Sequence, residues 1–142
     1  MTDVRLYQTP DGGEINYENG RLELSDTPES AVYLSLFGGN AEDSASEADD
    51  RKQWWGNRVE EDSTRHLRSR TQNLVRGLPS NSANLRRLDD AVQADLAWLV
   101  TAGVMASVEA SVSLVSPKRI RIDGTMTTPD GTRYPFKVDS PW

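Results

Sequence analysis

The chain has no cysteine, one histidine, two phenylalanines and three isoleucines among its 142 residues. Without cysteine there is no disulfide framework and no thiol chemistry. Any metal site would have to be built from carboxylates and one imidazole. No run approaches the roughly 18 apolar residues of a spanning helix, and no basic segment leads into an apolar one, so neither a membrane span nor a secretory leader is expected. Core-forming residues are scarce: Leu, Ile, Val and Phe number 29, close to the level at which globularity becomes doubtful. Their distribution decides the matter, because residues 38–63 hold only Val59 of those four types. The pattern is that of a single domain over 1–142, with an N-terminal hairpin region at 1–25 and a polar insertion loop at 38–63.

Charge is placed as unevenly as hydrophobicity. The formal net charge is −6, yet residues 1–62 carry 15 acids and 5 bases while residues 63–142 carry 7 acids and 11 bases. Such polarity suits docking into a larger assembly, where complementary patches set orientation and encounter rate. A solvated acidic loop is the plainer alternative.

Apolar and polar residues alternate at the N-terminus in Val4 and Leu6, Ile15 and Tyr17, Leu22 and Leu24, which predicts short strands. Asn19-Gly20 supplies the two positive φ values of a type I′ hairpin turn, and Asp11-Gly12-Gly13 marks an earlier turn. A first helix is expected after Asp26 or Thr27 as cap, with Pro28 and Glu29 in its first turn and Gly38-Gly39 at its end. Its body, residues 31–37, is apolar nearly all round and therefore buried on most sides. The insertion over 40–62 carries eight acids and three bases, and its part up to Asp50 has Ala as its only apolar type, so fast amide exchange is expected there. A second helix is expected from Thr64 to Arg76, with Leu67, Leu74, Val75 and Leu78 inward and Gly77-Leu78-Pro79 as its stop. A third is capped by Ser80 or Ser82. It carries the stripe Leu85, Leu88, Val92, Leu96, Leu99 and Val100, with Trp98 beside it and Gly103 just past its end. The last third alternates from Val104 to Leu114, turns at 116–119, returns through Ile120, Ile122 and Met126, and turns at 129–131 into Tyr134, Phe136 and Val138. The fold class is α+β: about three helices, a C-terminal three-stranded antiparallel meander, and an N-terminal β-hairpin.

Little here points to catalysis. Glu60, Glu61, Asp62, Asp89, Asp90 and Asp95 are plentiful acids with no evident apolar pocket, and one His cannot build a triad or a multi-His metal site. The acids at 43–50 lack the order and the glycine of a calcium loop, and neither Gly-Gly pair has the spacing of a phosphate loop. No cofactor, no metal and no catalytic residue are expected. The arginines of the second helix, with Arg86 and Arg87, are compatible with nucleic acid, but a net acidic domain more often turns such a face toward a protein, so no nucleic-acid partner is expected. Trp54 and Trp55 cannot easily both point inward. They serve as core, or as a buried anchor at an interface, where Trp and Arg dominate the energetics. The candidate interface residues are therefore Trp54, Trp55, Arg65, Arg68 and Trp98, joined by Val108 and Val112 on a strand that contains neither Pro nor Lys between 106 and 115. Such an unblunted edge suggests a reserved docking site, unless the N-terminal strands cover it, and a Pro at Ser111 or Ser113 should remove one main-chain donor from it.

The ordered set of 31–37 (AVYLSLF), an acidic loop, Trp54-Trp55-Gly56-Asn57, an Arg-bearing helix, 97–104 (AWLVTAGV) and 128–132 (TPDGT) resembles the phage Mu-type small baseplate protein family, over about 27–138. That family is similar to the sheath-initiating wedge proteins of T-even phages and of type VI secretion baseplates. The resemblance implies a non-enzymatic component of a contractile tail baseplate in the virion, assembled in the host cytoplasm as part of a symmetric ring. Its implied partners are other wedge proteins and the tail sheath, with tail tube or hub proteins as further candidates, and no membrane. The resemblance also implies an exposed strand edge on which the first sheath ring builds. The Glu-Pro-Arg motif of the wider family is replaced here by Thr101-Ala102-Gly103-Val104-Met105, so no role is carried to those positions. A cell-wall glycoside hydrolase and a nucleic-acid-binding adaptor are the alternatives from other classes.

Overall fold

The computed structural model describes residues 3–9, 12–40 and 54–142. The first six strands are very short: β1 (Asp3–Val4), β2 (Leu6–Thr9), β3 (Gly12–Ile15), β4 (Tyr17–Glu18), β5 (Arg21–Leu22) and β6 (Leu24–Ser25). They form three separate two-stranded antiparallel ladders, β1 with β6, β2 with β3 and β4 with β5. Where one hairpin was expected, three ladders radiate from a junction. Arg5 N–H donates to the Glu23 carbonyl, Asn16 N–H to that of Arg5, and Glu23 N–H to that of Asn16, at 2.9–3.0 Å each. Asn19 and Gly20 turn the β4–β5 hairpin with φ of 52° and 74°, the type I′ signature. The turn between β2 and β3 lies outside the described residues.

Helix α1 (Glu29–Phe37) begins after Pro28 with no side-chain cap. Thr27 is not the cap, because its hydroxyl pairs with that of Ser25 at 2.7 Å. The helix is enclosed as its composition requires, with Val32 and Leu36 wholly buried. The second helix starts later than its pattern suggests. Ser63–Arg65 forms a 3₁₀ turn capped by Asp62, residues 66–69 run extended, and α2 covers only Arg70–Gly77. The cause is tertiary. Asn57 grips both main-chain groups of Leu67, at 2.8 and 3.0 Å, and Ser69 N–H donates to the Gly39 carbonyl, so helical bonds are not available there. Helix α3 (Ser82–Thr101) is capped by Asn81, whose side chain accepts from Asn84 N–H at 2.8 Å, rather than by a serine. Gly103 takes φ +73° just beyond its end.

Strands β7 (Ser107–Ser116), β8 (Arg119–Thr127) and β9 (Arg133–Pro141) form the meander in the order β7-β8-β9. Ile120, Ile122 and Met126 of the central strand are fully buried and meet Leu88, Val92, Leu96 and Leu99 of α3 in one core with Val32 and Leu36. The helices thus cover one face of the sheet, while Glu109, Ser111, Ser113 and Lys137 line the other in solvent. Gly124 is required where β8 passes β7, since a side chain there would collide with the main chain of Glu109 and Ala110. Val104 and Ala106, expected on the strand's inner face, precede it and are exposed.

Candidate functional site

Two surfaces collect the candidate residues. The first is a cleft of about 780 Å³ between α1, α3 and the segment that joins Trp54 to α2. Trp54, Arg65, Arg68 and Trp98 all line it, although 44 positions separate the first from the last. Trp54 is half-buried because its ring folds over Gly56, where any side chain would strike it. Trp55 keeps its ring against that of Trp54, with centroids 5.5 Å apart, but is 70% exposed and does not line the cleft, so the adjacent pair splits between cleft and solvent. Trp98 leans across α1 and donates its indole N–H to Ser35 Oγ at 2.9 Å.

Asp95 lines the same cleft but is occupied elsewhere. Its carboxylate accepts from the N–H groups of Arg70 and Thr71 and from the Thr71 hydroxyl, at 2.7–3.0 Å, and so caps α2 from α3. Burial pushes this carboxyl up to about 6, against the pull of those three hydrogen bonds. A raised carboxyl in a cleft is a candidate general acid in principle. Here both oxygens face the first turn of α2. The other carboxylate of the cleft, Asp3, accepts from Val4 N–H at 2.8 Å. Glu60 accepts from Asp62 N–H at 3.0 Å, Glu61 is exposed, and His66 Nε2 lies 2.8 Å from the Glu60 carbonyl. These are loop-building contacts. Among the described residues no group of three or more His, Asp or Glu could hold a metal ion.

The second surface is the outer edge of β7, which among the described residues pairs only with β8. Val108 and Val112 present their side chains half-buried to the core, so what they can offer a partner is main chain. The N-terminal strands do not cover this edge. Two side chains of α3 touch it instead: Asp89 accepts from Val112 N–H at 3.2 Å, and Gln93 Nε2 donates to the Ala110 carbonyl. Main-chain groups alternate in direction along a strand, so residues 108, 110, 112 and 114 point their N–H and C=O outward while 111 and 113 point theirs at β8. A Pro at Ser111 or Ser113 would therefore damage the ladder with β8 and not the free edge. A register shift between Leu114 and Ser116 kinks the far end of the strand, and Leu114 and Val115 are exposed there.

Asp95, Asn57, Asp89 and Gln93 were not singled out by their spacing as structural contacts. Asp95 alone carried a signal, because it sits three residues after Val92 and seven after Leu88, inside the stripe that α3 buries. An acid in that position needs donors.

Compared with known proteins, residues 28–133 match the family described as Phage protein GP46. The chain is 25% identical over 141 residues to the baseplate protein gp46 of Escherichia phage Mu, covering 96% of this chain and 94% of that protein. No solved structure matches it.

Proposed function

The chain belongs to the phage protein GP46 family, and we propose that it is a structural component of a phage baseplate, specifically a wedge protein of a contractile tail that helps initiate the sheath. The observation that carries the finer reading is β7, a ten-residue edge strand that among the described residues has a strand partner on one side only. An incoming strand that bonds to residues 108–114 gains main-chain hydrogen bonds without disturbing the core, which is the economy of β-augmentation. The resemblance to the Mu protein, named a baseplate protein, supports the coarser reading. On this reading the protein is located in the virion tail, assembled in the host cytoplasm into a symmetric ring. Its partners are other wedge proteins and the sheath, with Trp54, Arg65, Arg68 and Trp98 as wedge contacts, and it performs no catalysis.

Ala110→Pro tests the sheath role, because it removes an outward N–H and leaves the β8 ladder whole. The expected outcome is a variant that melts like the parent and yields tails lacking sheath. Leu114→Lys, at an exposed position, is expected to act in the same direction. Normally sheathed tails from both folded variants would defeat the reading. Clearing of a peptidoglycan suspension by the parent, abolished by Asp95→Asn in a still-folded protein, would favour the hydrolase instead.

A further inference from the structure

We propose that α3 selects which partner strand the β7 edge receives. On its face toward the helices that strand carries a carboxylate opposite Leu114, an apolar side chain opposite Val108, and short polar residues opposite Ala110 and Val112. This rests on β7 being a docking edge, and it names the chemistry of what docks.

Two hydrogen bonds lay α3 along the edge. Gln93 reaches the Ala110 carbonyl, and Asp89 accepts from Val112 N–H. Four helical residues rise about 6 Å and two strand residues about 6.6 Å, so the helix runs antiparallel to β7 and keeps pace with it. Arg86, Gln93 and Val100 are seven residues apart and stand in one row, which drifts only about 20° per step. Each step is about 10 Å, or roughly three strand residues. With Gln93 level with Ala110, Arg86 comes level with the Leu114 end of the edge and Val100 with the Val108 end. A strand added beyond β7 lies beside this row. Directly opposed residues of an antiparallel pair share a face, so those opposite Val108, Ala110, Val112 and Leu114 turn toward α3.

The row changes character along its length. At one end Val100 is exposed, with Val104 exposed just past the helix, and together they offer apolar surface. At the other, Arg86 is exposed and makes no ion pair among the described residues, and the turn after β7 adds a second exposed cation, Lys118. Between them Gln93 and Asp89 stand over the edge with polar atoms, and the Asp89 carboxylate repels an acid opposite Val112. An acid is thus admitted at the Leu114 end and refused one pair further in. A slip of two residues would bring it against Asp89, and a slip of one would turn every side chain to the other face. The charges therefore set register as well as sequence.

The probe is a capped seven-residue peptide with Glu first, Ile last and Thr between, set against versions with Lys for Glu or Ser for Ile. Titrated into the full chain, the parent peptide is expected to shift the amide NMR signals of Val108, Ala110, Val112 and Leu114. It should bind about fivefold more tightly than either altered version. Arg86→Glu should reverse the preference between Glu and Lys, and Val100→Ser should erase that between Ile and Ser. Should either variant melt differently from the parent protein, Arg86→Gln and Val100→Ala are expected to level the same two preferences. Ala110→Pro should abolish binding of all three peptides. If the three peptides shift the edge signals and bind alike, the selection by α3 is overturned and the docking edge stands. If no peptide moves those signals, both fall. Preferences that survive in the α3 variants, or binding that survives Ala110→Pro, also overturn the inference.

Discussion

The chain builds antiparallel β structure twice, by different means. Residues 107–141 make three long strands whose alternate residues enter a core under α3, so the sheet is held by what it buries. Residues 3–25 make strands of two to four residues, too short to share a buried face, and leave Tyr17, Leu22 and Leu24 exposed. Isolated two-stranded ladders are marginal in water. What unites these three is polar: a closed ring of three main-chain bonds, with Glu23 accepting from Arg5 Nη1 at 2.6 Å and from Asn16 Nδ2. One region is specified by hydrophobic period, the other by a knot of donors and acceptors. Removing a methyl-rich side chain should hurt the first, and removing a carboxylate the second.

The largest effect is expected from Ile122→Ala, on the central strand with no exposed surface. Its loss should cost about 2–5 kcal/mol in urea unfolding, and a smaller cost would mean that the helical layer collapses into the space. Next comes Asp95→Ala, which strips the acceptor from the first turn of α2 and should cost about 1–3 kcal/mol. Asp95 also makes stability depend on pH. Its folded value of about 6 lies above its ordinary 3.8, so the folded state holds the proton more tightly. That contribution is fully present below about pH 4 and is lost as pH rises through 6. Asp95→Asn should flatten this segment of a melting-temperature profile, and an unchanged slope would assign it to another group. The smallest effect is expected at the knot. Glu23→Gln should cost roughly 1 kcal/mol or less, because Arg5 and Glu23 are partly exposed. Its signature is local: faster amide exchange at Arg5, Asn16 and Glu23 with no change on β8. Equal acceleration in both regions would erase the distinction drawn between them.

The same contrast explains what the sequence could disclose. The stripe of α3, the alternation of β7–β9 and the Asn19-Gly20 turn are local periodicities or local backbone demands, and each is legible in a window of a few residues. The start of α2 is not, because Asp95, 25 positions after Arg70, provides its cap, and Asn57 holds Leu67 out of the helix. The three-way junction is equally hidden, since Arg5, Asn16 and Glu23 read as ordinary polar residues between short strands. For the site, spacing picked out Trp54, Arg65, Arg68 and Trp98 singly. Only packing of α1 against α3 gathers them around one cleft, and only the ring of Trp54 over Gly56 decides which tryptophan faces in. The acidic stretch expected to exchange rapidly lies, apart from Asn40, outside the described residues.

The contacts of Asp89 and Gln93 with β7 bear on selectivity. A bare edge rewards any extended chain, since every main-chain bond formed is a net gain. Here two of the groups along the edge already have partners, so an arriving strand exchanges bonds there and gains almost nothing from them. The other outward groups still reward it, and side chains that fit, with the exposed end at Leu114 and Val115, must make up the difference. A generic strand, including a second copy of β7, is therefore rewarded less than it would be on a bare edge. The helix thus lowers what the edge offers to any extended chain that meets it.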